Sequence, residues 1–585
     1  MAASLALFYA LCNASDPQQA GWVAGSGTVT QRGLCVTYDA SAGSAAPLTL
    51  QLCSGNASQV WTLTDGVISS ASSGVAWNGQ ESPACSTTPP ALGSGCKVAS
   101  WPLPGGGWNS LFDVNSPSPG MIQGRFAISG GPSPSGLCVS AVPPPPPPPL
   151  AVPTADVLAW SRKELMCLYD FDMCTFAPSM LQGCDCGRPP PPVDTWAPSS
   201  LDTDSWVAAG MSAGCQIHIL VAKHVCGFVS WNSSAGSELG YNYSSLYSST
   251  PVDVVAPFVA SVRKAGQAAG MYYSLTNNAR TNTCGGNIQP NPTPGQIAVT
   301  PVQYDGLVKE HLTELWTNYG PLAEVWFDGG FTSSQREWIP PLLASLQPHA
   351  IAFNGETLSP NPSRWIGSES GYAPNETWST CDYAANGSGG GSPNSTTWFP
   401  AETDFTVLQD DTWFFDQIHA VRPPAELRAM YESSVGRNTQ ALIGIGIPPN
   451  GTVEGTAQAA ALASLGAWIT GCYGAPIAQT SGSGTAFSVM PSAAVSIDRV
   501  VMREDQTTGQ RVRAWALKAY LADGSTLQLA QGESIGNRRI VTFPELHQVA
   551  MVDLSISAAV GTPVIAQLAI FGGCDALARR LDARV

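Results

Sequence analysis

The chain has 585 residues, enough for two or three domains. Apolar residues make up 44% and charged ones only 12%, with 59 Gly and 48 Pro, which suits a loop-rich extracellular protein better than a cytosolic one. The net charge of −16 argues against nucleic acid or an anionic membrane surface as partner.

Residues 3–11 are apolar, but no positive charge precedes them, so they make an unconvincing signal peptide. They belong instead to a repeat. Leu11-Cys12-Asn13-Ala14-Ser15 leads on to Gln18, Gln19 and Trp22, and Leu52-Cys53 leads on to Asn56-Ala57-Ser58-Gln59-Val60-Trp61. Gly33-Leu34-Cys35-Val36 returns as Gly136-Leu137-Cys138-Val139. These segments resemble the ricin-type β-trefoil lectins, with the module entered in mid-repeat. The resemblance implies a trefoil over 1–142, a disulfide Cys35–Cys53, and a ring-closing pair Cys12–Cys138. Seven prolines, Pro143 to Pro149, then predict a stiff polyproline II spacer over 143–150.

From 151 to 475, short strand-like runs alternate with helix-like ones. Strands are predicted at Met166–Met173, Ile217–His224, Met271–Thr276, Glu324–Asp328, Ile351–Asn354, Arg364–Ser368, Trp398–Glu402 and Leu442–Ile447. Helices are predicted at Ser205–Ala213, Phe258–Ala269, Tyr304–Asn318, Glu337–Leu346, Glu426–Val435 and Thr456–Ile469. Eight such strands fit a (β/α)8-type barrel. From 485 to 575 the pattern is all-β, with alternating runs such as Ser496–Met502 and Arg513–Tyr520, and predicts a C-terminal antiparallel β-sandwich.

The 16 Cys imply an oxidising compartment. Eight Asn-x-Ser/Thr sequons, at Asn13, Asn56, Asn232, Asn242, Asn375, Asn386, Asn394 and Asn450, point the same way. A secreted, extracellular or lysosome/vacuole-like location is expected. Cys184-Asp185-Cys186 is a weak metal hint, and disulfides are the expected use. No apolar run reaches ~18 residues, so no membrane span is expected. Oligomeric state is not readable.

The chemistry centres on Glu324-Val325-Trp326-Phe327-Asp328-Gly329-Gly330. On a strand, Glu324, Trp326 and Asp328 share one face, and the glycines allow a turn straight after the carboxylate. Around it stand Val221-Ala222-Lys223-His224 with Gly227-Phe228 and Trp231; Arg263-Lys264-Ala265-Gly266; and Met271-Tyr272-Tyr273-Ser274. Arg364-Trp365-Ile366-Gly367-Ser368-Glu369, Trp398-Phe399-Pro400-Ala401-Glu402 and Ser434-Val435-Gly436-Arg437-Asn438 follow.

Residues 151–575 thus resemble the α-L-fucosidases of glycoside hydrolase family 29. The resemblance implies a retaining, exo-acting fucosidase that takes a fucosylated oligosaccharide or glycoprotein and needs no cofactor or metal. It implies Asp328 as nucleophile and Glu369 as acid/base, with Glu356 and Glu376 as competitors for the second role. It makes His224, Trp231, Tyr272, Trp326, Arg364, Trp413 and Asp170 candidates for substrate binding, with Trp326, Phe228 and Trp413 offered as an apolar wall for the fucose methyl. Two departures stand out. His224-Val225-Cys226 replaces the commoner His-His-Asp, a form like that of the subgroup acting on α-1,3/1,4-linked fucose. Asp170 stands where the first strand usually carries a His, and an ionised Asp accepts hydrogen bonds but cannot donate. A non-catalytic fucose- or glycan-binding lectin and a hydrolase of a related α-L-glycoside, such as an α-L-galactoside, are the competing readings.

Overall fold

In the computed structural model, residues 150–177, 184–382 and 389–583 are described, together with the strands of segment 1–149; the side chains of 544–547 are excepted. Met1–Pro148 and Pro149–Val585 are two separate compact units. The strands of the first unit pair antiparallel in an eight-stranded and a four-stranded sheet. Its first strand, Leu5–Leu11, lies beside its last, Gly131–Val142, with Ala6 opposite Val142 and Leu11 opposite Leu137. The expected trefoil, the pairs Cys12–Cys138 and Cys35–Cys53, and the polyproline spacer rest on residues outside those described.

The second unit opens with a closed barrel of eight parallel strands in sequential order. They are β1 (Leu165–Asp170), β2 (Ile217–Lys223), β3 (Ala268–Ser274), β4 (Glu324–Asp328), β5 (Ile351–Phe353), β6 (Pro362–Trp365), β7 (Ala401–Thr406) and β8 (Gln440–Gly446). β1 pairs with β8 to close the ring, Leu165 opposite Ala441. Each predicted strand overlaps one of these. Strand alternation separates two cores. Met166, Leu168, Ile217, Ile219, Val221, Trp326 and Leu442 fill the barrel. Leu220, Val325, Phe327 and Ile443 face the surrounding helices.

The helices start and stop where their ends are chemically satisfied. Asp202 accepts the Ser205 N–H (3.1 Å) to begin Thr203–Ala213, and Gly214 ends it at φ 101°. Thr300 and Gln303 form a capping box before Pro301–Asn318. The helix predicted at Phe258–Ala269 is Val255–Lys264, because Gly266 at φ 70° breaks it and β3 begins at Ala268. Of the Cys in this unit, four pairs are bonded: Cys167–Cys215, Cys184–Cys226, Cys186–Cys284 and Cys472–Cys574. The sequon asparagines Asn232, Asn242, Asn375, Asn394 and Asn450 are exposed. Among the described residues, no helix is long and apolar enough to cross a membrane.

The C-terminal strands are β9 (Ala478–Ser483), β10 (Ala486–Val489), β11 (Val495–Glu504), β12 (Val512–Leu521), β13 (Thr526–Gly532), β14 (Arg539–Ala559) and β15 (Val564–Phe571). They form one hydrogen-bonded antiparallel sheet in the order β9-β15-β11-β14-β12-β13, with β10 also on β14. An antiparallel sandwich was expected, and the strands pair antiparallel but in one continuous sheet. The difference lies in β14, a single strand where the sequence pattern suggests Ile540–Phe543 and Val549–Ile556. Its first half pairs with β11 and its second with β12, so it ties all the strands together. Glu164, just before β1, binds Arg503 (2.5 Å) and Arg538 (2.7 Å) and fastens the sheet to the barrel.

Candidate active site

The carboxyl ends of the barrel strands surround a cavity of about 370 Å³. Leu168 and Asp170 of β1, His224 after β2, Tyr272 of β3, and Trp326 and Asp328 of β4 line it, with Glu369 after β6, Asp404 of β7, and Asp410, Asp411 and Trp413 from the loop after β7.

Asp328 ends β4, and Gly329 and Gly330 turn the chain away at φ 75° and 71°. The Tyr272 hydroxyl donates to Asp328 Oδ2. Burial and the adjacent Asp328 charge push the Tyr272 phenol well above its usual range, so it stays a neutral donor. Tyr272 stacks on Trp326 (5.1 Å between ring centres) and on His224 (5.8 Å). Trp326 in turn lies flat on Phe353 (3.7 Å). These rings make one apolar wall beside the Asp328 carboxylate.

His224 is held by its own backbone N–H, which donates to Asp172 Oδ2 (3.2 Å), and by Phe414 edge-on at 5.1 Å. Burial lowers its pKa to about 4, against the pull of Asp328, so the ring is neutral near pH 6. Its Nδ1 is buried without a partner among the described residues, as is Asp170 Oδ2. Burial, then Asp172, then Glu369 drive the Asp170 carboxyl well above the usual carboxylate range. This environment favours the protonated form of Asp170, which, unlike an ionised Asp, is able to donate a hydrogen bond. Lys223 lies beneath, its ammonium donating to Ser274 O (2.5 Å) and Asn277 O (2.6 Å).

Glu369 stands exposed on the loop after β6, and Trp413 Nε1 donates to its Oε2 at 2.8 Å. The competing glutamates lie elsewhere. Glu356 faces Arg336 at 4.0 Å. Glu376 accepts from the Glu533 and Ser534 N–H groups (3.0 and 2.6 Å) at the C-terminal sheet. Neither lines the cavity.

Three other candidates also lie outside it. Trp231 is buried and donates to Glu314 (2.8 Å). Arg364 is buried, with its guanidinium on the Phe399, Gly389 and Trp378 carbonyls (2.9, 2.8 and 3.2 Å). Phe228 packs on Trp196 (4.7 Å) in the outer core.

Asp404, Asp410 and Asp411 escape sequence reasoning. Asp404 had a signal: β7 runs to Thr406, four residues past the predicted end at Glu402, which carries Asp404 to the strand-end face. It accepts the Trp365 indole N–H at 2.9 Å, and burial raises its pKa to about 8, helped by Glu369.

The α-L-fucosidase family profile matches residues 188–474. Alpha-L-fucosidase 1 of Arabidopsis thaliana is 28% identical over 321 residues, which are 52% of this chain and 56% of the relative. A rice (Oryza sativa subsp. japonica) protein provisionally named α-L-fucosidase 1 is 27% identical over 72% of this chain and 85% of its own. The chain thus spans little more than half of the Arabidopsis relative it matches. Among solved structures, a Bacteroides thetaiotaomicron VPI-5482 protein provisionally named an α-L-fucosidase superposes with TM-score 0.65 at 26% identity, covering 72% of this chain and 99% of that one. A family 29 glycoside hydrolase from an unknown rumen bacterium shares the fold, with TM-score 0.61 and 24% identity over 73% and 78% of the two chains. Residues 188–474 are therefore similar to the α-L-fucosidases, and the barrel with its C-terminal sheet shares the fold of the solved relatives.

Proposed function

We propose that this chain is a retaining, exo-acting α-L-fucosidase that removes terminal fucose by double displacement. The observation that carries the reading is the meeting of Asp328 and Glu369 on one small cavity at the strand ends. The Asp328 carboxylate attacks the anomeric carbon as the bond to the leaving oxygen breaks, and Glu369 gives that oxygen its proton. Water, deprotonated by Glu369, then attacks the same carbon and releases Asp328. Configuration is retained because it is inverted twice. Two carboxyl groups and a shaped pocket suffice for these steps.

Neutral His224 Nδ1 and Asp170 Oδ2, both buried and without a partner among the described residues, offer hydrogen bonds to sugar hydroxyls. The Tyr272 and Trp326 rings take the apolar face of the sugar. The His224-Val225-Cys226 form favours α-1,3/1,4-linked fucose on an oligosaccharide or glycoprotein. Bonded cysteines and exposed sequons favour a secreted or lysosome/vacuole-like location, and a trefoil module would add avidity for a glycan.

The test is hydrolysis of an aryl α-L-fucoside by the whole chain. Asp328→Ala should abolish turnover, and azide should then restore product as the β-fucosyl azide. Rescue absent at Asp328, with an unaffected rate in Glu369→Ala, would remove both assignments. Fucose binding without turnover would favour a lectin. Asp170 motivates one second reading, an α-L-galactosidase, since a changed hydroxyl partner alters which hydroxyls are read. Side-by-side kcat/KM values for the two aryl glycosides decide between them.

A further inference from the structure

Glu369 presents a physical problem. A proton donor must hold one geometry through the reaction, yet this side chain is exposed. Freezing a glutamate side chain costs up to about 2 kcal/mol of rotamer entropy, so something must restrain it. The hydrogen-bonded partner found for its carboxyl is the indole of Trp413, at 2.8 Å.

Trp413 is itself unusually well seated for a loop residue. Its loop is closed at the base by Gln409 N–H to Ala420 O and Arg422 N–H to Val407 O, both 2.9 Å. The buried Arg422 guanidinium reaches Thr406 O (2.8 Å), Asp411 (2.8 Å) and Glu426 (2.5 Å), tying the loop to β7 and to the helix Pro424–Ser434. Asp410 and Asp411 both take left-handed backbone, at φ 57° and 52°, to turn the chain back.

The ring then rests on the backbone of β8. A Cβ at Gly444 would come within 2.6 Å of Trp413 Cε3 and Cζ3. A Cβ at Gly446 would come within 2.5 Å of the Phe415 backbone nitrogen. Glycine inside a strand weakens it. Here two glycines in one barrel strand are what allow the loop to lie against it.

We propose that Trp413, seated on Gly444, is the positioning residue that holds Glu369 in its acid/base geometry. The inference rests on Glu369 as the acid/base. Indole is a donor only and cannot take up a proton. Its N–H therefore occupies Oε2 without competing for the transferred proton, and leaves Oε1 to carry it. The alternative is that Trp413 is simply a wall against the sugar.

The two are separated by leaving-group dependence. kcat/KM reports the first chemical step. That step depends strongly on acid assistance for a poor leaving group such as phenol and hardly at all for 2,4-dinitrophenol. Trp413→Phe keeps the ring and removes the N–H. Negative charge develops on Glu369 as its proton leaves, so loss of a hydrogen bond to it predicts a fall of roughly tenfold in kcat/KM for phenyl α-L-fucoside, with less than about twofold change for the dinitrophenyl substrate and little change in the Ki of fucose. Gly444→Ala, which displaces the ring with its N–H intact, should give the same signature, and its Tm reports whether it folds. Equal losses on both substrates with a weaker Ki, or no loss in Trp413→Phe, would overturn the proposal. Glu369→Ala is the control. If it shows no leaving-group dependence, the acid/base assignment falls and this inference with it; if it does and Trp413→Phe does not, only the positioning role fails.

Discussion

Two glutamates inside the barrel invite a direct test through pH. Glu324 of β4 and Glu402 of β7 are fully buried, and Glu324 Oε1 and Glu402 Oε2 find no donor among the described residues, while the Glu324 charge acts on Glu402. Two carboxylates have no donor between them, so the pair must hold a proton. The outer oxygens are taken by indoles: Trp160 donates to Glu324 at 2.9 Å and Trp326 to Glu402 at 2.9 Å. Burial pushes Glu324 up to about 7, and burial with the Glu324 charge pushes Glu402 well above the usual range. The folded chain therefore keeps a proton that the unfolded chain releases above about pH 4.5. The stabilisation is complete below that pH and is lost as pH rises through about 7. Moving one proton's affinity from 4.5 to about 7 is worth roughly 3 kcal/mol, or about 1.4 kcal/mol per pH unit within the window.

Glu402→Gln supplies a permanent donor to Glu324 and an acceptor for Trp326. Its stability should be flat with pH over this window, overtaking the wild type near pH 7. Glu402→Leu orphans the Trp326 N–H and Glu324, and should cost about 2–5 kcal/mol near pH 5. Urea denaturation of the three proteins at pH 5, 6, 7 and 8 measures this. Parallel pH profiles for wild type and Glu402→Gln would refute the shared proton, and a Leu variant as stable as Gln would refute the network.

Three further outcomes are expected. Arg364→Met should destabilise the fold by about 3 kcal/mol, because three carbonyls, two of them buried, lose their donor, while KM of the folded fraction stays within about twofold; a large rise in KM would restore Arg364 to the sugar site. Gly466→Ala should lower stability by about 2–4 kcal/mol in a thermal melt, since its Cβ would lie 1.8 Å from Ser212 O of the neighbouring helix, and an unchanged Tm would contradict that packing. Glu376→Gln should leave kcat/KM unchanged and lower Tm by a few degrees, since its carboxylate caps two N–H groups of the C-terminal sheet; an acid-catalyst phenotype would contradict this geometry.

Much of the second unit was legible because its signals are local. Alternation in Glu324–Asp328 put Trp326 and Phe327 on opposite faces, and the structure sets Trp326 in the barrel and Phe327 in the outer core. The helices expected at Ser205–Ala213 and Tyr304–Asn318 begin earlier, at Thr203 and Pro301, because Asp202 and Thr300 accept orphan N–H groups ahead of them. Expectation and placement diverge where the pattern carries two meanings. Trp231 and Phe228 adjoin a site motif and are aromatic, yet both are core, since a ring suited to a sugar face is equally suited to packing. Arg364 looked like a ligand-binding cation, and its guanidinium is spent on loop carbonyls.

The order of eight strands, the carboxylate before two glycines, and the departure at Asp170 were determined by the sequence alone, since periodicity and turn chemistry act over a few residues. Only the tertiary structure decided which glutamate shares the cavity with Asp328, that Asp404 joins it, and that Trp413 rests on Gly444 while holding Glu369. Barrel closure brings together residues tens of positions apart, and burial then shifts Asp170 toward its protonated form; neither is written in any short stretch of chain.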